Sequence, residues 1–222
     1  MLLETDSEAA FQSFACLAQN CPTLQVIVGE RDKMNRFCRY YLKSEQTPRV
    51  VFHELLEQRW PVGVHELVPG LRLATLADLS LLRPIQAELA FAESGIDPRE
   101  IDPEGFQQRM KQRINRDRIY VWVENGRLIF KADVLAQTPH VTYLEGVYVN
   151  PQERRQGYGL RCLSQLSQTL LAQSRSISLL VDAQNLQALD LYRKAGYRLR
   201  GHYDTIFLQQ QTGRASSRNG LS

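Results

Sequence analysis

The chain has 222 residues, of which 43% are hydrophobic and 23% are charged; this composition is typical of a globular protein and excludes a disordered or fibrous one. Its 27 lysine and arginine residues exceed its 24 aspartate and glutamate residues by only three, an excess too small to indicate nucleic-acid binding. No apolar run approaches the roughly 20 residues of a membrane-spanning helix, so we expect no membrane partner. The cysteines lack C-x-x-C spacing and the histidines are scattered, so we expect no metal and, with free thiols, a cytoplasmic protein.

The first 68 residues predict a small α/β region. Apolar residues recur at helical spacing in two segments, and short β-branched runs separate them. The predicted elements are helices over 8–20 and 31–42 and strands over 24–28 and 49–53, the last of which would also accept a helix from residue 54. Proline and glycine steps then place a domain boundary near residue 68.

Residues 69–208 predict a second, larger domain in which strands and helices follow one another. The Asn125-Gly126 step between two alternating runs predicts a tight hairpin. The predicted elements are strands over 71–74, 119–124, 127–135, 142–149, 177–182 and 197–208, and helices between Asp78 and Gly95 and over 102–115, 157–173 and 186–195. The polar residues 209–222 predict a flexible tail.

One strand, turn and helix start, over residues 147–159, carries the pattern Arg154-x-x-Gly157-x-Gly159. Amide groups in the first turn of a helix have no partner inside the helix and form an anion site together with the helix dipole. Glycine lets a ligand approach the backbone closely, and Arg155 adds charge. The pattern favours a diphosphate site, although a glycine-containing helix start with solvated arginines would look the same. The P-loop and dinucleotide motifs are absent.

Three motifs in this order resemble the GNAT superfamily of acyl-CoA-dependent N-acetyltransferases. They are V-x-V-x-P at 147–151, R-x-x-G-x-G at 154–159 and N-x-x-A-x-x-L-Y-x-x-x-G-Y at 185–197, and the resemblance covers residues 71–208. It implies an α/β (α+β) fold with a mixed central sheet flanked by helices, here preceded by a small α/β region.

A closer resemblance is to a bacterial GNAT subgroup that carries an N-terminal domain of unknown function. Residues 91–98, 130–134 and 146–149 carry it. Residues 10–65 are compatible with that extra domain, for which a degenerate half of a second GNAT unit is one interpretation.

The resemblance implies roles for individual residues toward acetyl-CoA, which would act as cosubstrate without a metal. The backbones of Val147 and Val149 would pair with the pantetheine arm. Asn185 would lie near that arm, and it is also a good helix N-cap. The residues implied to hold the diphosphate are Arg154, Arg155, Gln156, Gly157, Tyr158 and Gly159.

The resemblance also implies an acid and a base. Tyr192 would protonate the departing thiolate, although by itself it reads as a partly buried aromatic of an amphipathic helix. Glu145 lies inside an apolar strand, where burial would raise the pKa of a carboxyl group and suit it as a base. A solvated position or an ion pair is the alternative for Glu145, and Asp182 is a second candidate.

The expected function is transfer of an acetyl group from acetyl-CoA to a primary amine, by direct attack in a ternary complex. Cys162 lies within a helix without a neighbouring histidine, so an acyl-cysteine is not expected. The alternative is a non-catalytic acyl-CoA-binding regulatory module. The amine acceptor, a small molecule or a protein, is not identified by the sequence, and a homodimer is possible.

Overall fold

The computed structural model describes residues 2–3, 5–21, 24–42, 49–61, 63 and 66–207. The chain divides into two compact units, Met1–Phe52 with Tyr203–Ser222, and His53–His202. Neither unit begins or ends at the boundary near residue 68 that the sequence predicts. The division into an N-terminal region, 1–68, and a second domain, 69–208, stays a prediction. The predicted tail, 209–222, lies outside the described residues.

Nine strands, seven α-helices and two short 3-10 helices (Leu76–Asp78 and Pro151–Glu153) are present among the described residues. In chain order, the strands and α-helices are β1 (Leu2–Leu3), α1 (Glu8–Gln19), β2 (Val26–Glu30), α2 (Arg31–Tyr41), β3 (Arg49–Gln58), β4 (Leu71–Leu73), α3 (Leu79–Ser94), α4 (Pro98–Ile101), α5 (Pro103–Asn115), β5 (Ile119–Glu124), β6 (Arg127–Gln137), β7 (Thr142–Val149), α6 (Tyr158–Leu171), β8 (Ile177–Asp182), α7 (Leu186–Lys194) and β9 (Arg198–Phe207).

The first unit is a small α/β assembly. Strand β2 pairs in parallel with β1 and antiparallel with residues Tyr203–Phe207 of β9. Helices α1 and α2 cover these strands with an apolar core, which consists of Phe11, Ala15, Ala18, Ile27, Met34, Phe37 and Ile206. The end of β9 therefore completes the sheet of the N-terminal region.

The second unit contains a mixed sheet in the order β3-β8-β7-β6-β5-β4. Its strands pair antiparallel except for β7 and β8, which run parallel. Helices α3 and α5 pack on an apolar cluster that includes Leu82, Met110 and Val121. Helices α6 and α7 pack on a second cluster that includes Leu163 and Leu189. The predicted fold class, a mixed sheet flanked by helices, is confirmed.

Two elements depart from the sequence-based expectation. Residues Arg49–Gln58 form one continuous strand rather than a strand followed by a helix, because β8 pairs with them as far as Gln58. The one-turn helix Pro98–Ile101 was not expected, since four residues are too few to show a helical period. Its start is nevertheless marked, because the Asp97 side chain accepts a hydrogen bond from the Arg99 amide at 2.8 Å.

The parallel strands β7 and β8 pair only at their beginnings. Thr142 lies opposite Ile177 and Tyr143 opposite Ser178, and no further pair joins these two fully described strands. Both strands continue for several residues beyond this point, to Val149 and Asp182. The carboxyl end of β7 thus has unpaired backbone on the side of β8.

Strand β7 carries a bulge at Gly146. Asp133 of β6 lies opposite Glu145, whereas Lys131 lies opposite Tyr148, so β7 has one residue more than β6 in this stretch. Gly146 adopts a φ of +56°, which a residue with a side chain rarely adopts. Bulges of this kind redirect the backbone and are common next to active sites.

Within the described part of the chain, no helix combines the length and the apolar character that crossing a bilayer requires.

Candidate active site

A groove of about 950 Å³ lies beside the carboxyl end of β7. Strand β7 supplies one wall, the start of α6 a second, and α7 a third. Nine of the twelve candidate site residues from the sequence line it: Val147, Val149, Arg154, Arg155, Gly157, Tyr158, Gly159, Asn185 and Tyr192. The three that do not line it are Gln156, Glu145 and Asp182.

The start of α6 offers unpaired amide groups to this groove. Gly157 precedes the helix with a φ of +80°, and no side chain caps the helix start. The first intrahelical bond runs from the Arg161 amide to the Gly157 carbonyl at 3.1 Å, so the three preceding amides have no helical partner. The first turn contains no acidic residue. This arrangement can bind an anion.

Two arginines stand beside these amides. Arg154 is exposed, and its Nε donates to the Val149 carbonyl at 3.1 Å, which holds the side chain against the end of β7. Arg155 has a φ of +64°, an uncommon conformation for a residue with a side chain. Gln156 instead donates to the carboxylate of Glu153 at 3.1 Å, and Glu153 lines the groove whereas Gln156 does not.

The two glycines of the motif serve different purposes. A Cβ at Gly157 would meet no heavy atom within 4 Å, so its requirement is the positive φ and the open space before the helix amides. A Cβ at Gly159 would lie 2.9 Å from Val149 Cγ2. Gly159 is therefore needed for the close packing of α6 on β7, in addition to any approach by a ligand.

Helix α7 closes the groove on the far side. The Asn185 side chain accepts a hydrogen bond from the Ala188 amide at 3.1 Å and so caps the helix, while it also lines the groove. Lys194, which sequence reasoning missed, lines the groove and pairs with Asp190 at 2.7 Å. The sequence does contain a signal for Lys194. It follows Gln187 and Leu191 at helical spacing, so the three residues lie on one face of α7.

Tyr192 is 7% exposed and lines the groove. Burial raises the pKa of its hydroxyl, and the neighbouring Tyr197 and Tyr143 act in the same direction. Its ring packs edge-on against that of Tyr197, with centroids 5.7 Å apart. The hydroxyl thus stays protonated at neutral pH and can donate a proton.

Glu145 is in an ion pair, the alternative to the buried position expected for it. Its carboxylate accepts a hydrogen bond from Arg113 Nη1 at 2.7 Å, and its side chain is 31% exposed. The same Arg113 Nη1 lies 3.4 Å from Asp133 Oδ2. The second candidate, Asp182, is exposed at the end of β8 and accepts a hydrogen bond from the Gln184 amide.

Comparison with known proteins places the chain in a family. A model of the acetyltransferase (GNAT) family matches residues 83–197, which is more than half of the chain. No curated protein matches.

Solved structures share the fold. A GNAT-family acetyltransferase from Colwellia psychrerythraea superposes with a TM-score of 0.60 at 15% identity, covering 91% of this chain and 72% of the other. A GNAT-family protein from Novosphingobium aromaticivorans gives 0.58 at 19% identity, covering 91% and 81%. A GCN5-related N-acetyltransferase from Sphaerobacter thermophilus gives 0.58 at 18% identity, covering 85% and 61%. The family-model match over more than half of the chain shows that it belongs to the acetyltransferase (GNAT) family of acyltransferases, which transfer acetyl groups from acetyl-CoA.

Proposed function

We propose that the protein transfers the acetyl group of acetyl-CoA to a primary amine. The observation that carries this proposal is the convergence in one groove of an anion-binding helix start, unpaired strand backbone and a buried tyrosine hydroxyl. The diphosphate of acetyl-CoA would bind the amides after Gly157 together with Arg154 and Arg155. The pantetheine arm would pair with the backbone of β7 at Val147 and Val149, where β8 no longer does.

The reaction would be a direct attack of the amine on the thioester. The amine nitrogen forms a bond to the acetyl carbon, the carbon–sulfur bond breaks, and the electron pair leaves on sulfur. Tyr192 donates its proton to this thiolate, and the nitrogen gives up one proton to Glu145, directly or through water. The products are the N-acetylated amine and free CoA, and proton exchange with solvent restores both groups.

No covalent acetyl-enzyme is needed for this chemistry. Cys162, the cysteine in α6, is fully buried, and burial raises the pKa of its thiol to about 12. A thiol that is neither ionised nor accessible is a poor nucleophile. This supports a ternary complex of enzyme, acetyl-CoA and amine.

The test is to incubate the protein with acetyl-CoA and a panel of amines and to measure free CoA and N-acetylated amine together. Mass spectrometry is the preferred detection, because the exposed thiols of Cys16 and Cys21 would react with thiol reagents. Formation of both products in equal amounts is expected. Tight binding of acetyl-CoA without turnover of any amine would contradict the enzyme and support the regulatory module.

A further inference from the structure

Lys131 of β6 is a buried charged residue that has no part in the reaction as written above. Its side chain is fully buried. Its ammonium group lies 2.8 Å from Asp133 Oδ1, in a side chain that is 2% exposed, and it donates a hydrogen bond to the Gly146 carbonyl at 3.2 Å. A buried ammonium group is costly even when it is paired. The contact to Gly146 indicates what this one does in the fold.

The bulge of β7 takes Gly146 out of the ladder of backbone hydrogen bonds. Lys131 lies opposite Tyr148 and Asp133 opposite Glu145, so the register gives Gly146 no opposite residue on β6. The extra residue of a bulge is left unpaired in this way. The Lys131 ammonium group therefore supplies a donor to a carbonyl that the neighbouring strand does not serve.

The absence of a side chain at Gly146 lets the ammonium group lie directly against the bulge. A Cβ at this position would be 2.9 Å from Lys131 Nζ and 3.3 Å from Asp133 Oδ2. Both of these side chains are enclosed, so neither has room to move aside. The ion pair thus packs against the peptide that joins Gly146 to Val147.

The backbone of β7 beyond the bulge alternates between its two sides. The Asn150 amide donates to the Ile129 carbonyl at 2.9 Å, so these two residues are a hydrogen-bonded pair. Bonded and non-bonded positions alternate along an antiparallel ladder, so Val147 and Val149 direct their N–H and C=O groups away from β6. The Val149 carbonyl agrees with this direction, because it accepts a hydrogen bond from Arg154 Nε at 3.1 Å.

The peptide between Gly146 and Val147 therefore connects the buried cation to the groove. In a trans peptide the C=O and N–H groups point in opposite directions. Lys131 holds the Gly146 carbonyl, so the Val147 N–H points to the side of β7 where the pairing with β8 has ended. Val147 lines the groove. This peptide has a cation at its carbonyl and a donor directed toward the groove at its amide.

We propose that Lys131 is a positioning residue for acetyl transfer. Its ammonium group, held by Asp133, fixes the peptide between Gly146 and Val147, and the Val147 N–H then donates a hydrogen bond to the thioester carbonyl oxygen of acetyl-CoA. The Val147 carbonyl, on the same side of β7, is left for the pantetheine arm. The proposal rests on the acyl-CoA site and the reaction proposed above.

A donor at this position acts on charge that develops during the reaction. As the amine attacks the acetyl carbon, an electron pair of the carbonyl bond moves onto oxygen, and it returns when the carbon–sulfur bond breaks and the thiolate leaves. No proton passes to this oxygen. A donor that is already oriented stabilises such charge. The Lys131 ammonium group strengthens it, because hydrogen bonds in series polarise one another.

The first test observes the carbonyl of bound acetyl-CoA and needs no amine. Acetyl-CoA labelled with ¹³C at the acetyl carbonyl is bound to the protein, and its carbonyl stretching frequency is measured by isotope-edited infrared spectroscopy. A stronger hydrogen bond lowers this frequency. We expect a higher frequency in Lys131→Met/Asp133→Leu, which leaves no unpaired charge buried, than in the wild type. Lys131→Gln, which keeps a neutral donor at the position, should give an intermediate value.

Leu170→Ala is the control for a general loss of stability. Leu170 is buried at the C-terminal end of α6, about 18 Å along the helix from Tyr158, and its truncation removes core packing without touching the bulge. This variant should keep the wild-type carbonyl frequency. A merely structural role of Lys131 would make the two kinds of variant behave alike.

The second test uses an amine that the wild type acetylates. In Lys131→Met/Asp133→Leu we expect kcat and kcat/KM to fall together by about 10²-fold, the scale for loss of one oriented donor. The affinity for acetyl-CoA, measured by calorimetry, should change little. Leu170→Ala should keep the wild-type kcat.

The outcomes separate this role from the proposed function. Equal carbonyl frequencies in the wild type and both Lys131 variants would overturn the positioning role and leave acetyl transfer intact, as would an equal loss of kcat in Leu170→Ala. A frequency that depends on Lys131, without acetylation of any amine, would support the positioning role and contradict acetyl transfer. A wild-type protein that does not bind acetyl-CoA would contradict both.

Discussion

Lys131 and Asp133 form an ion pair inside the second unit, with Lys131 Nζ 2.8 Å from Asp133 Oδ1 and side-chain exposures of 0% and 2%. The two residues alternate along β6 and so point to the same face. Lys131 Nζ also donates to the Gly146 carbonyl at 3.2 Å. The pair thus ties β6 to the bulge of β7 that borders the groove.

Removing one partner of this pair should be strongly destabilising. We expect Lys131→Met to lower the free energy of unfolding by about 3 kcal/mol, because Asp133 would remain buried with only the longer contact to Arg113. Urea unfolding measures this loss. The double variant Lys131→Met/Asp133→Leu should recover part of it, since no unpaired charge stays buried. An unchanged urea midpoint in Lys131→Met would contradict a contribution of this ion pair to stability.

The pH dependence of stability should report the Arg72–Asp78 pair. A hydrogen bond from Arg72 lowers the pKa of Asp78 to about 2, and the backbone and side chain of Thr75 contribute in the same direction. A depressed pKa stabilises the fold above the unfolded value of about 3.9 and loses this contribution as pH falls toward 2. We expect Asp78→Asn to lower the free energy of unfolding by about 2 kcal/mol at pH 7 and to make it fall less steeply as the pH decreases. Thermal unfolding measured from pH 7 to pH 2 checks both expectations. A variant whose stability falls with pH as steeply as that of the wild type would contradict the role of Asp78.

Arg154 should contribute to acetyl-CoA binding through charge. We expect Arg154→Ala to weaken binding by roughly 1–3 kcal/mol, the range for charge-assisted hydrogen bonds. The loss should shrink as salt rises, because Arg154 is exposed and its charge is screened. Calorimetric titration at two ionic strengths measures this. Arg175→Ala, which removes an exposed arginine outside the groove lining, is the control. An Arg154→Ala protein with wild-type affinity at low salt would place Arg154 outside the site.

The two glycines of the motif should respond differently to substitution. Gly157→Val should abolish acetyl-CoA binding in a folded protein, at a stability cost of about 1–2 kcal/mol for the positive φ. Gly159→Val should lose stability by more than Gly157→Val, because its Cβ would lie 2.9 Å from Val149 Cγ2. Thermal unfolding and calorimetric titration of both proteins separate the two effects. Wild-type affinity in folded Gly157→Val would remove the assignment of the anion site.

Tyr192→Phe tests the proposed acid. The variant keeps the ring and its packing against Tyr197, so stability and acetyl-CoA affinity should change little. Loss of a general acid costs about 10²–10⁴ in rate, and it should appear in kcat and kcat/KM together. Since burial raises the pKa of Tyr192, wild-type activity should not decline from loss of this proton until well above the ordinary tyrosine pKa of about 10. An unchanged rate under conditions where chemistry is limiting would exclude the acid role.

The sequence predicted those structural features that depend only on residues adjacent in the chain. The Asn125-Gly126 hairpin is present, with φ values of 50° and 72°, because this turn needs only two residues that tolerate positive φ. The helix start after Gly157 and the Asn185 cap are local in the same way, since their amides and capping atoms lie within a few residues. Nine lining residues of the groove were named because three motifs, in their order along the chain, resemble the GNAT superfamily.

Only the tertiary structure decided features that join distant segments. The pairing of β7 with β8 ends after Tyr143 and Ser178, which leaves backbone of β7 unpaired beside the groove, yet each strand by itself has an ordinary sequence. Arg113 pairs with Glu145 across 32 positions, which turned an expected buried base into an ion-paired one. Residues Tyr203–Phe207 complete the sheet of the N-terminal unit. Strand partners and ion pairs of this kind depend on packing between segments that are distant in sequence. Several strand pairings are equally compatible with the local sequence, and the sum of these distant contacts determines which one forms.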